Sequence, residues 1–133
     1  MADLKKITDF LDQCKVFYFA TVDGDEPRVR PFGFYMVFEG RLYFGAGTHK
    51  ATHRELEANP NVEICCCSGG SFLRLRGRAV LDMRPETEAA LFESAPMLRK
   101  TYNAESGLVH SRFYLEDMSA ILFQMGGKEE KLA

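Results

Sequence analysis

The chain has 133 residues, 27% of them charged and 46% hydrophobic, with a formal net charge of −2. That length suits one domain with an ordinary core, and the charge balance excludes the basic excess by which a nucleic-acid or membrane surface releases counterions. A local basic pocket for a small anion stays open.

Residues 1–14 read as an amphipathic helix, with Leu4, Ile7, Phe10 and Leu11 at helical spacing and Asp3 as its N-cap. Asp9, Asp12 and Lys15 interrupt the apolar run that a signal peptide would need, and no membrane-spanning stretch follows, so a cytoplasmic address is expected. A strand is predicted over Val16–Val22, and Asp23-Gly24 is a hairpin signal. Arg28 to Phe38 reads as one long strand, which Glu39-Gly40 turns into "RLYFGA". A short helix follows, with Thr48 as candidate N-cap and Pro60 closing it after Asn59. "NVEICCCS" and "SFLRLRGRAVLDM" are further strands about a Gly69-Gly70 turn. Pro85 opens another helix and "PMLRKTYNAESG" a second helical piece. "SRFYLEDMSAILFQM" is a final strand or pair, with a kink near Glu116-Asp117, and the glycine-led tail, residues 126–133, is expected to be loose. The sum is a mainly β chain, an antiparallel barrel with flanking helices forming a single domain over residues 1–133.

The chemistry concentrates at two places. Arg28 and Arg30 are two apart in a strand and so share a face. Pro31 removes a ladder donor beside them, and Gly33 lets a flat group approach the backbone. The second place is "GTHKATHREL", where a helix start offers free N–H groups beside Thr48, His49 and Lys50. If the strands on either side of Glu39-Gly40 pair along their length, residue 30 falls opposite about residue 49, and both places converge. A phosphate dianion suits such a cluster. The alternative is that Arg28 and Arg30 pair with carboxylates on a neighbouring strand while Lys50 is solvated.

Other motifs are less directive. His49 and His53 share a helix face, but only Glu57 stands near as a third ligand and no metal site is expected. His110 lies in a loop-like stretch with no nucleophile beside it. Cys65 and Cys67 should point to one side of their strand and Cys66 to the other, as reduced thiols, with a redox-active thiol as the alternative. Arg74, Arg76 and Arg78 read as a solvent face, or as cover for an interface or ligand. Neither a Gly-x-Gly-x-x-Gly nor a Walker loop occurs.

The ordered series "FYFATVDGDEPRVRPFGFYMVFEGRLYFGAGTHKATHRELEANPNVEI" resembles the pyridoxamine 5′-phosphate oxidase-like, FMN-binding split-barrel family. The likeness runs from about Phe10 to Phe123 and is strongest over Arg28–Val62. It implies a six-stranded antiparallel split β-barrel, usually a homodimer with two FMN sites at the interface. The phosphate would be held by Arg28 or Arg30 with Thr48, His49 and Lys50, and Pro31, Phe32 and Gly33 would lie along the flavin ring. Phe44 to Gly47 would line the other side, with Ser71 and Phe72 of a second subunit as weaker candidates. The chain has no tryptophan and lacks the Trp-Arg-rich end those oxidases use on their substrate, so the small flavin-reductase-like or nitroimidazole-resistance-like branch is the nearer match. The resemblance implies an FMN-dependent oxidoreductase acting on an unidentified small substrate. The alternatives are a non-catalytic flavin- or haem-binding protein, with His49, His53 or His110 on the iron, and a barrel that has lost its cofactor.

Overall fold

The computed structural model describes residues 2–133. Helix α1 (Leu4–Cys14) starts as expected, with the Asp3 carboxylate accepting from the Lys6 N–H at 3.2 Å. It buries Ile7, Phe10 and Leu11 and stops at Lys15, whose φ of +66° leaves the helical region. Strands β1 (Phe17–Asp23) and β2 (Glu26–Phe32) form the first hairpin, pairing Phe19 with Arg30 and Thr21 with Arg28. Period-2 alternation turns Phe17, Phe19 and Thr21 inward and leaves Tyr18 outside.

The next segment departs from expectation. Residues 28–38 are not one strand: β2 ends at Phe32, and β3 (Met36–Phe38) begins only after Gly33-Phe34-Tyr35. Pro31 lacks an N–H for continued pairing, and the chain leaves the ladder soon after it. β3 pairs with β4 (Arg41–Phe44) about Glu39 and Gly40, both at positive φ, whereas β2 pairs with β1 and not with β4. Residue 30 therefore stands opposite Phe19, not opposite residue 49.

Helix α2 (Ala51–Ala58), strands β5 (Asn61–Ser68) and β6 (Ser71–Leu81), and helix α3 (Pro85–Ser94) come next. A 3-10 turn (Pro96–Lys100), strand β7 (Phe113–Phe123) and strand β8 (Glu129–Lys131) complete the described chain. The expected kink is present: Asp117 has φ +53°, and the β6–β7 register shifts between Arg76 and Arg78. The tail is not loose. β8 pairs with β7, Leu132 is buried, and its N–H and that of Ala133 both donate to Ala120 O.

All pairings are antiparallel, in the order β2-β1-β5-β6-β7-β4-β3 with β8 also on β7. The eight strands exceed the expected six because the long strand divides and the tail adds one. The two ends of that path do not pair with each other, so the sheet is not closed. Phe17, Phe19, Phe44, Phe113, Ile64 and Leu75 of the sheet form one core with Ile7, Phe10 and Leu11 of α1. The cysteines alternate as expected: Cys66 is buried, Cys65 and Cys67 are exposed, and no disulfide forms. Arg74 and Arg76 meet Glu63 on the outer face, at 2.7 and 3.5 Å.

Candidate functional site

The ends of β2 and β4 and the start of α2 enclose a cleft of about 570 Å³, within the range that holds cofactors. One wall is Arg30 to Phe34 and the other Gly45 to Gly47. Lys50, Ala51 and Thr52 close one end; Leu98, Tyr102 and His110 close the other.

Residues 47–50 form a turn, not a helix. Gly47 makes an isolated bridge with His110, Thr48 N donates to Val109 O, and Lys50 N donates to Gly47 O. The α2 N-cap is thus Lys50, not Thr48, and no side chain caps it. The Ala51 and Thr52 N–H groups find no acceptor among the described residues, so the helix presents two free donors and its positive pole where those residues line the cleft.

Arg30 is fixed from behind. It donates to Thr21 Oγ1 at 2.8 Å, to Phe19 O at 3.3 Å and to Glu55 Oε1 at 2.6 Å. Thr21 itself donates to Glu55 at 2.6 Å. That hydrogen bond and the guanidinium hold the Glu55 carboxyl below its ordinary range against the opposing effect of burial. Arg28 takes no part. It is exposed and pairs with Asp23 at 3.4 Å and Glu26 at 3.7 Å, outside the lining of the cleft. Its position two residues from Arg30 gives it the same face, but strand pairing sets it opposite Thr21, one step nearer the hairpin turn.

Pro31, Phe32 and Gly33 line the cleft as a unit. Thr48 and His49 lie outside its lining; the His49 ring packs on Gly47, which does line it, and stands 6.4 Å from the Tyr102 ring. His53 lies outside the lining, with Nε2 at 3.6 Å from Glu57 and a buried, unpartnered Nδ1. Among the described residues no three His, Cys, Asp or Glu side chains gather as a metal would need.

The Gly45–Gly47 wall has no room for side chains at its two glycines. A Cβ on Gly45 would stand 2.2 Å from Ser111 O, and one on Gly47 would stand 2.5 Å from the His49 ring and 2.7 Å from the Tyr102 hydroxyl. Two cationic side chains, two free backbone donors and a flat slot between Pro31–Gly33 and Gly45–Gly47 fit a planar ring system carrying a phosphate.

Sequence reasoning missed Thr21, Glu55 and Tyr102. A polar residue at the inward position two after Phe19 was a usable signal for Thr21: it breaks an apolar alternation and therefore needs a buried partner. Nothing local marks Tyr102, which reaches the cleft only because the segment after the 3-10 turn folds back.

An open antiparallel sheet with such a slot at the start of a helix defines a small β protein of the split-barrel class. The family model for pyridoxamine 5′-phosphate oxidase matches residues 4–124, and the chain belongs to that family. It is 32% identical to a NimC/NimA family protein from Clostridium acetobutylicum, with a TM-score of 0.86 over 96% of this chain and 92% of that one. It is also 33% identical over 100 residues to general stress protein 26 of Bacillus subtilis, covering 69% of each chain. A FAD-binding protein from Mesorhizobium loti, 19% identical, shares the fold with a TM-score of 0.59 over 90% of this chain and 94% of its own.

Proposed function

We propose that this chain binds FMN in the Arg30–Lys50 cleft and serves as an FMN-dependent oxidoreductase for a small substrate. The observation that carries the reading is the convergence of Arg30, Lys50 and the uncapped start of α2 on a slot walled by Gly45 and Gly47. Lys50 and the Ala51 and Thr52 N–H groups would take the phosphate, with Arg30 beside them and Thr48 and His49 in the turn before them. Pro31, Phe32 and Gly33 would lie along the ring system. A bound flavin supplies hydride and one-electron chemistry; the protein's part is to orient it and exclude water.

The expected assembly is a homodimer with the sites at its interface. Val29, Tyr18 and Phe72, exposed on β2, β1 and β6, leave apolar surface for a second copy to cover. A cytoplasmic address goes with this reading, as does the lack, among the described residues, of any helix long and apolar enough to cross a membrane.

The second reading is a non-catalytic flavin- or haem-binding protein of the same fold. It is favoured by one feature: among the described residues no carboxylate lines the cleft, and its histidine is held neutral. The deciding experiment is the visible spectrum of purified protein before and after incubation with FMN and gel filtration. Retained flavin bands at about one per chain, reduced by NADH or NADPH with turnover on an added acceptor, support the enzyme. Retention without turnover supports the carrier, a Soret band moves the assignment to haem, and a colourless protein that retains nothing overturns both.

A further inference from the structure

Between α3 and β7 the chain runs through residues 96–108 without burying one of them. Ala95, just before, is buried. The hydrogen bonds of this segment are its own. Leu98 N donates to Ala95 O, Thr101 N and Tyr102 N donate to Leu98 O, and Gly107 N donates to Asn103 O. Asn103 Nδ2 donates to Arg99 O and Lys100 O, and Ser106 Oγ to Thr101 O. Among the described residues no hydrogen bond joins residues 96–108 to any part of the chain other than Ala95. The ties resume at Val109, whose O accepts from Thr48 N at 2.8 Å.

Side chains supply the remaining hold. The Arg99 guanidinium lies 4.5 Å over the Phe92 ring, and the Tyr102 ring stands edge-on to His110 with centroids 4.8 Å apart. There is open space on both sides. Leu98 and Tyr102 line the cleft on one. On the other a groove of about 520 Å³ parts the segment from α3, with Glu88, Leu91 and Phe92 on one bank and Arg99, Asn103 and Leu108 on the other.

A segment that buries no residue, bonds to itself and is undercut on both sides can move as a unit, because no ladder and little buried surface is lost. We infer that residues 96–108 are a lid on the cleft, pivoting at Ala95 and Val109 to admit a ligand and closing on it with Leu98 and Tyr102. Resting on the flavin reading, that ligand is FMN, and the closed lid would keep water from it.

The test is hydrogen exchange followed by NMR on the full chain, free and with FMN at about 100 times its Kd. The Tyr102 and Gly107 amides are hydrogen-bonded within the lid, and Leu73 and Leu75 lie on β6 between two paired strands. In the free protein the two lid amides should exchange at least ~100-fold faster than the two β6 amides. FMN should slow the lid amides by up to ~100-fold, as a ligand bound only to the closed form does. Tyr102→Ala should speed FMN release roughly 10-fold with its urea midpoint unmoved, and Tyr102→Phe should release FMN like the wild type. Lid amides as protected as those of β6 would overturn the lid, whether or not FMN binds. So would lid exchange that bound FMN leaves unchanged, or release from Tyr102→Ala at the wild-type rate. Fast lid exchange in a protein that retains no FMN keeps the lid and loses the flavin reading.

Discussion

Arg30 Nη2 stands 2.6 Å from Glu55 Oε1, and the Glu55 side chain is only 5% exposed. The arginine of the cleft is therefore neutralised from behind by a carboxylate on α2, and a phosphate would meet an ion pair plus Lys50 rather than two free cations. The pair also ties β2 to α2 through Thr21, and so sets the width of the slot.

Glu55→Gln should leave Arg30 without a counter-charge in a site that is largely dry. Breaking a buried pair costs ~3–5 kcal/mol. The Arg30 side chain keeps 22% exposure, which places the expected loss at about 2–3 kcal/mol. Urea unfolding at neutral pH measures it. A loss under 0.5 kcal/mol would mean that the pair does not hold α2.

The two arginines and Lys50 separate cleanly. Lys50→Ala should weaken FMN binding by roughly 1.5–3 kcal/mol, a 10- to 150-fold loss, as removal of a charge-assisted bond to phosphate does. Arg28→Ala should change it less than about twofold, because Arg28 is spent on exposed pairs with Asp23 and Glu26. Fluorescence titration of FMN against both variants is sufficient. Equal losses would return Arg28 to the site.

Gly45 and Gly47 differ in what a methyl would strike. In Gly45→Ala the Cβ meets the Ser111 carbonyl, which is backbone and cannot rotate away, so a loss of about 1–3 kcal/mol in stability is expected. In Gly47→Ala it meets the ends of His49 and Tyr102, which can move. That variant should keep its melting temperature within a few degrees yet retain less FMN, because the slot is narrowed. If both variants melt alike and bind alike, the glycine wall has no part in the site.

The sequence carried some of this and hid the rest for a physical reason. Composition marked β1 and β5 as strands, alternation set Cys66 against Cys65 and Cys67, and the Asp3 cap and the Pro85 start marked two helices, because each is a local preference. Asp117 and the Arg76–Arg78 bulge coincided with an interruption visible as Glu116-Asp117. The break after Phe32 was underread: Pro31 and Gly33 both signalled it, but the Phe34-Met36-Phe38 alternation suggested continuity. That error gave the wrong partner to Arg30 while still bringing it near Lys50, since α2 returns across β1. Glu55 was invisible as a site residue because its pairing spans 25 residues, and nothing in a helix sequence announces which strand it will cover.

His110 makes the fold itself sensitive to acid. Burial holds its folded-state pKa at about 4, below the ordinary 6.5, with Arg112 and Lys50 disfavouring a second positive charge and the Ser111 hydrogen bond opposing them. Between those two values the unfolded chain binds a proton that the native state refuses, so stability must fall as pH is lowered through that window. Above about 6.5 the ring is neutral in both states and adds no slope; below about 4 it is protonated in both, and its share of the loss is complete. At ~1.4 kcal/mol per unit, the total is on the order of 3 kcal/mol. Glu55 acts in the same direction but lower, because its carboxyl is held down and its contribution is lost as pH falls below the ordinary carboxylate range. Urea midpoints at pH 7.5, 6.5, 5.5 and 4.5 should therefore decline progressively in the wild type. In His110→Phe the decline between 6.5 and 4.5 should largely vanish, leaving the drop at the acid end from Glu55 and from Asp82, whose carboxyl the Arg84 guanidinium holds down. An unchanged slope in that variant would mean that burial does not hold the His110 ring neutral.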